Sequence, residues 1–108
     1  MDDATTLNVL SLEDSILDFE IISEKLKGAG YRFNITRIEK KTELISLLQS
    51  NCYDIILADY NLPNFDAFEA LKFRNQYCQE TPFICVSGSI GEILAIELLK
   101  QGADDYVL

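Results

Sequence analysis

Three carboxylates carry the chemistry that this chain could do. Glu13 and Asp14 follow the apolar run Val9-Leu10-Ser11-Leu12, and Asp59 follows Ile55-Ile56-Leu57-Ala58. The second run is short, branched and bounded by turn signals, the pattern of a strand buried on both faces of a parallel sheet. The first has a similar ending. Each acid therefore stands at the carboxyl end of a strand, where open α/β sheets bind their ligands. Asp is also a common turn residue, and taken alone Asp59 would be read as a turn former ahead of Pro63. The two matching strand endings favour the other reading. If the strands are neighbours, Glu13, Asp14 and Asp59 converge on one small volume. Two carboxylates about 4 Å apart repel by ~4 kcal/mol at an effective dielectric near ~20, so such a cluster favours a cation. Oxygen ligands without His or Cys suit a hard ion. Few protein ligands, with room for water and a phosphate, suit Mg²⁺ better than Ca²⁺.

The elements that must hold these acids alternate along the chain. Strands are expected at Leu7 to Leu12, at a more polar edge segment with Phe33, Ile35 and Ile38, at Ile55 to Ala58, at Phe83 to Val86, and from Tyr106 to Leu108. Ser15-Ile16-Leu17-Asp18 opens a first helix, whose stripe Ile16, Phe19, Ile22 and Leu26 is expected to face the sheet, with a stop at Gly28 or Gly30. Thr42 is expected to cap a short helix carrying Leu44, Leu47 and Leu48. Asp66-Ala67-Phe68-Glu69 opens a third helix with Phe68 and Leu71 inward, running to Tyr77 or Cys78. Ser89-Ile90-Gly91-Glu92 opens a fourth, with Ile93, Ile96 and Leu99 in its stripe and a stop at Gly102. Strands alternating with helices of this length imply right-handed crossovers and a parallel sheet.

At 108 residues, 48% of them apolar, the chain is expected to be one globular domain. Its net charge of −9 makes nucleic acid and anionic membrane surfaces poor partners, since both are bound through basic patches. Cys52, Cys78 and Cys85 are an odd set without metal spacing or an evident pairing, and with no His there is no cysteine–histidine nucleophile. Cys85, inside an apolar strand, is expected to be a core residue. The absence of a signal peptide or membrane-length apolar run points to a reduced, cytoplasmic setting.

Four strand ends, taken in order, resemble those of the receiver domains of two-component response regulators, the CheY-like family. They are Glu13-Asp14, Asp59 with Leu62-Pro63, Ser87-Gly88 after Phe83 to Val86, and Gly102-Ala103-Asp104-Asp105-Tyr106-Val107-Leu108. The resemblance runs from about Leu7 to Leu108. It implies an α/β fold with a doubly wound, five-stranded parallel sheet in the flavodoxin-like order 2-1-3-4-5. It also implies a phosphoacceptor role: Asp59 takes a phosphoryl group from a phosphohistidine on a sensor histidine kinase or phosphotransfer protein. In that scheme Glu13, Asp14, Asp59 and the backbone carbonyl of Asn61 hold Mg²⁺, Ser87 contacts the phosphoryl group, and Tyr106 is the switch aromatic. Such a domain assists its own phosphorylation and dephosphorylation and is not an enzyme in the ordinary sense. The family's fifth strand ends in a lysine and a fifth helix follows, whereas this chain ends at Leu108. It is therefore expected to be a receiver domain truncated before its last helix, and to self-associate through the face left open.

Three other functions compete for the same residues. A haloacid-dehalogenase-like phosphatase wants a second Asp two positions after the nucleophile, where this chain has Asn61. A flavodoxin-like FMN carrier wants a hydroxyl-rich phosphate loop after the first strand, where Glu13 and Asp14 would repel phosphate. A degenerate receiver acting only as a protein-interaction module is the alternative that the missing lysine leaves open.

Overall fold

The computed structural model describes residues 6–60, 62, 65–86 and 92–107. Within them the chain runs β1 Leu7–Leu12, α1 Ile16–Gly28, β2 Phe33–Ile38, α2 Lys41–Ser50, β3 Ile55–Ala58, α3 Ala67–Tyr77, β4 Phe83–Val86, α4 Glu92–Lys100 and β5 Asp105–Val107. The strands form one sheet in the order β2-β1-β3-β4-β5, every neighbouring pair parallel. The chain winds one way from β1 to β2 and the other way from β3 to β5. Right-handed crossovers therefore put α1 on one face and α2, α3 and α4 on the other.

The second face holds the core. Leu10 and Leu12, Ile56 and Ala58, and Phe83 and Cys85 alternate inward along three strands and meet Leu44 and Leu48 of α2, Ala67, Ala70 and Leu71 of α3, and Ala95 and Leu98 of α4. Helix starts expected at Ser15 and Asp66 are capped as expected: Ser15 Oγ accepts from the Asp18 amide at 3.2 Å and Asp66 Oδ1 from the Glu69 amide at 3.0 Å. Gly30, at φ 86°, takes the left-handed turn that ends α1, with the Tyr31 amide donating to the Leu26 carbonyl at 3.3 Å.

Several expectations need correction. β3 is buried on one face only, because Ile55 and Leu57, like Ile84 and Val86 of β4, are half-exposed where α1 packs over β2. The α1 stripe is partial: Phe19, Ile22 and Leu26 are half-buried, but Ile16 is 60% exposed. In α4 the inward pair is Ala95 and Leu98, whereas Ile93 is 84% exposed and Ile96 and Leu99 also face out. The small Ala95 side chain lets that side approach the sheet. α2 starts one residue before Thr42, with Lys40 at the N-cap and no side-chain cap bond. β5 covers 105–107, and Leu108 and the Ser89-to-Gly91 part of the expected fourth cap lie outside the described residues. Cys52 and Cys78, for which the sequence suggested no partner, are joined by a disulfide with Cα atoms 5.8 Å apart, while Cys85 is free and buried as expected.

Arg74 of α3 ties the β4 and β5 ends together. Only 4% exposed, it donates to the Thr81 carbonyl at 2.8 Å, to Asp104 Oδ2 at 3.2 Å and to the Gly102 carbonyl. Asp104 Oδ2 in turn accepts from the Phe83 amide at 2.7 Å. This clasp sets the start of β4, and with it the register that carries β4 to the site.

Candidate metal centre

Glu13, Asp14 and Asp59 meet because of strand register. Leu12 pairs with Ala58, so the residues that follow them leave the sheet together. The ladder continues one step on each side: the Asp59 amide donates to the Leu12 carbonyl at 2.9 Å, and the Glu13 amide to the Ile38 carbonyl at 3.0 Å. One carboxylate oxygen from each of Glu13, Asp14 and Asp59 can be chosen so that all three lie within 4.8 Å of one another. Glu13 is 5% exposed, Asp59 is half-buried and Asp14 is exposed. The cluster is thus open on one side and closed at its base.

The electrostatics follow from that shape. Burial, opposed by a hydrogen bond from the Ser15 amide and reinforced by the negative charges of Asp59, Asp18 and Asp14, pushes the Glu13 carboxyl up to about 7. The Ser15 amide reaches Glu13 Oε2 at 3.2 Å. Burial, and then the charge on Asp59, push the Cys85 thiol up to about 11, so this neighbour stays a neutral packing group. The donor set is all oxygen and its charge is concentrated. It fits a hard divalent cation, which would remove the repulsion that the fold imposes.

The sequence missed one contributor. Arg37 of β2 donates from Nη1 to the Glu13 carbonyl at 3.0 Å, and its Nη1 lies 3.5 Å from Glu39 Oε2. A cation at the end of the edge strand was the available signal, and it had no weight until β2 was known to lie against β1. Asn61 and Ser87 lie outside the described residues. Tyr106 is described: it pairs in register with Cys85, and its side chain packs half-buried against the core. The β3-to-α3 turn is braced by the Ala67 amide donating to the Tyr60 carbonyl at 3.2 Å, and by Tyr60 meeting Phe68 edge to face at 6.0 Å.

Residues 9–108 match the family model of the response regulator receiver domain. The chain is 34% identical over 101 residues to the cell cycle response regulator CtrA of Brucella ovis and of Brucella abortus, covering 94% of this chain and 43% of those proteins. It thus spans less than half the length of these relatives. Among solved structures, a Francisella response regulator receiver domain is 30% identical with TM-score 0.77, covering 93% of this chain and 81% of that one. A response regulator from Hahella chejuensis, 22% identical with TM-score 0.84 over 94% of this chain and 78% of that one, shares the fold. So does the receiver domain of the Pseudomonas aeruginosa sensor histidine kinase PA1611, 22% identical with TM-score 0.77 over 95% of this chain and 84% of that one, which carries a magnesium ion coordinated in its active site cleft.

Proposed function

We propose that this chain, which belongs to the response regulator receiver domains, takes a phosphoryl group onto Asp59 from the phosphohistidine of a sensor histidine kinase or phosphotransfer protein, with Mg²⁺ bound, and changes conformation in response. The observation that carries this reading is the convergence of Asp59 with Glu13 and Asp14 at adjacent strand ends. A carboxylate oxygen of Asp59 attacks the phosphorus as the bond from phosphorus to the imidazole nitrogen breaks. The histidine ring, protonated on its other nitrogen, leaves as neutral imidazole, and Asp59 is left as an acyl phosphate.

Phosphoryl transfer spreads charge over the equatorial oxygens, so a protein contributes mostly positioning and positive charge. Glu13, Asp14, Asp59 and the backbone carbonyl of Asn61 would hold Mg²⁺, and the ion when bound supplies that charge. Glu13 also has a positional task. Its backbone amide and carbonyl are both held by β2, through Ile38 and Arg37, and its carboxylate accepts from the Ser15 amide, so its place at the strand end is set before any ligand arrives. Ser87 would hydrogen-bond a phosphoryl oxygen, and Tyr106 would turn inward as Ser87 moves. The domain is its own substrate, a signalling element of the cytoplasm rather than a turnover catalyst. Among the described residues no helix is long and apolar enough to cross a membrane.

Acetyl phosphate, which needs no partner protein, tests the reading. With Mg²⁺ present, intact-mass measurement should show one added phosphoryl group, which does not form when the metal is chelated beforehand and is absent in Asp59→Asn. An equal mass gain in that variant would place the nucleophile elsewhere, and no gain in the unaltered protein would leave a domain that works only through protein contact.

A further inference from the structure

We infer that Cys52 and Cys78 form a reversible thiol–disulfide site for small disulfides of the glutathione type, at the end of the sheet opposite the acidic cluster. This inference does not depend on the reading of Asp59. The two residues bracket the phosphoacceptor unit: Cys52 stands just before β3 and Cys78 is the C-cap of α3, a separation of 26 residues. The bond therefore closes a loop that contains β3, Asp59 and all of α3.

Three observations point to exchange. The pair is asymmetric, since Cys52 is exposed and Cys78 is 4% exposed. That is the arrangement of an entry sulfur reached from solvent and a resolving sulfur behind it. A surface cleft of about 340 Å³, lined by Cys52, Gln76, Tyr77, Cys78, Gln79 and Glu80, gives a small peptide thiol room to approach. The backbone on both sides is also held without the sulfurs: the Asn51 amide donates to the Leu47 carbonyl at 2.9 Å, the Cys78 amide to the Arg74 carbonyl at 2.9 Å, and Thr81 Oγ1 to the Tyr53 carbonyl at 3.1 Å. The Cα atoms are 5.8 Å apart in this frame, inside the usual disulfide range, so closing the bridge asks for no movement of the backbone. The remaining cysteine, Cys85, is buried in β4 and does not compete for the pair.

Oxidation would run in two balanced steps. The Cys52 thiolate attacks glutathione disulfide, forming one sulfur–sulfur bond, breaking another and releasing one glutathione thiolate. The Cys78 thiolate then attacks the Cys52 sulfur and expels the second glutathione. Two protein thiols and one glutathione disulfide give one protein disulfide and two glutathione thiols, with two electrons passing from protein to glutathione.

The test is equilibration of the native protein, without denaturant, across a series of reduced-to-oxidised glutathione ratios. Each sample is quenched in acid, alkylated after unfolding and read by intact mass and peptide mapping. The expected result is one alkylated cysteine, Cys85, at the oxidising end and three at the reducing end, with the same curve from either direction. Cys85→Ser should keep the transition and Cys52→Ser should abolish it. A bridge that survives every ratio until the protein is unfolded would overturn the inference, as would a lasting glutathione adduct on Cys52, or the absence of any bridge. The series on the unaltered protein decides the matter even if a variant folds poorly.

Discussion

Glu13 and Asp59 leave the sheet side by side because their predecessors, Leu12 and Ala58, are register partners on adjacent parallel strands. The Asp59 amide donates to the Leu12 carbonyl at 2.9 Å and closes the pairing at the point where the two carboxylates diverge from the ladder. The fold thus holds like charges together before any ligand neutralises them.

The first consequence is a pH dependence. The folded Glu13 carboxyl titrates at about 7, above its ordinary value of 4.5, so the folded protein binds this proton more tightly than the unfolded chain does. The contribution to stability is fully present below the unfolded value and is lost as pH rises from there through the folded value. In metal-free protein, chemical denaturation should show stability falling between about pH 5 and about pH 8, with Glu13→Gln flattening the curve. Mg²⁺ affinity should rise over the same interval, with proton release on binding. A curve equally steep in Glu13→Gln would assign the effect to another group.

Asp14 separates repulsion from ligation. It is exposed, so Asp14→Asn should leave the fold intact and raise metal-free stability by up to ~1 kcal/mol through relief of like charge. The same change should weaken Mg²⁺ by about tenfold or more, roughly 1.4 kcal/mol. Amide NMR during Mg²⁺ titration checks both the affinity and the place. Shifts centred away from residues 13, 14 and 59 would count against the site.

Much of this was legible in the chain. Strand ends could be read because short branched runs stop abruptly at Glu13 and Asp59, and the caps at Ser15 and Asp66 because a side-chain oxygen three residues before an acid has a local meaning. What failed was facing. Ile93, Ile96 and Leu99 have helical spacing, yet Ala95 and Leu98 face the core, because the small Ala95 lets that side of the helix approach the sheet closely and brings Leu98 in with it. Pairings across the fold were equally hidden. Neither the Arg37 bond to the Glu13 carbonyl nor the Cys52–Cys78 bridge follows from sequence until the neighbouring element is known.

Arg74 should be a stability residue without a chemical role. Its partner Asp104 is 52% exposed, so the ion pair itself adds little. The larger part comes from donors to the Thr81 and Gly102 carbonyls that a substitution would leave unmet. Arg74→Met should therefore cost about 2–4 kcal/mol in denaturant unfolding. Mg²⁺ affinity measured below the transition should stay within about twofold of the unaltered protein, roughly 0.4 kcal/mol. A larger loss would mean that the clasp reaches the metal centre.

The α1 face of the sheet should drive self-association of this chain. Ile55, Leu57, Ile84 and Val86 are half-exposed there, and Val107 at the sheet edge is 50% exposed. Burying such surface contributes about 25 cal/mol per Å², and patches of this kind tend to find partners. Sedimentation at rising concentration should show a dimer or larger species that Leu57→Glu disperses. A chain that stays monomeric throughout would show that the half-covered face is stable in water as it stands.

Three clustered carboxylates could accept the phosphoryl group, and identifying the one that does decides between them. Acyl phosphates are reduced by borohydride to the alcohol, which marks the residue permanently for peptide mapping. After treatment with acetyl phosphate and Mg²⁺, the reduced product should map to Asp59 alone, and omission of Mg²⁺ should remove it. A reduced residue at Glu13 or Asp14, or an Asp59 product of equal yield without the metal, would contradict the assignment of Asp59 as the acceptor and its two neighbours as the cation's ligands.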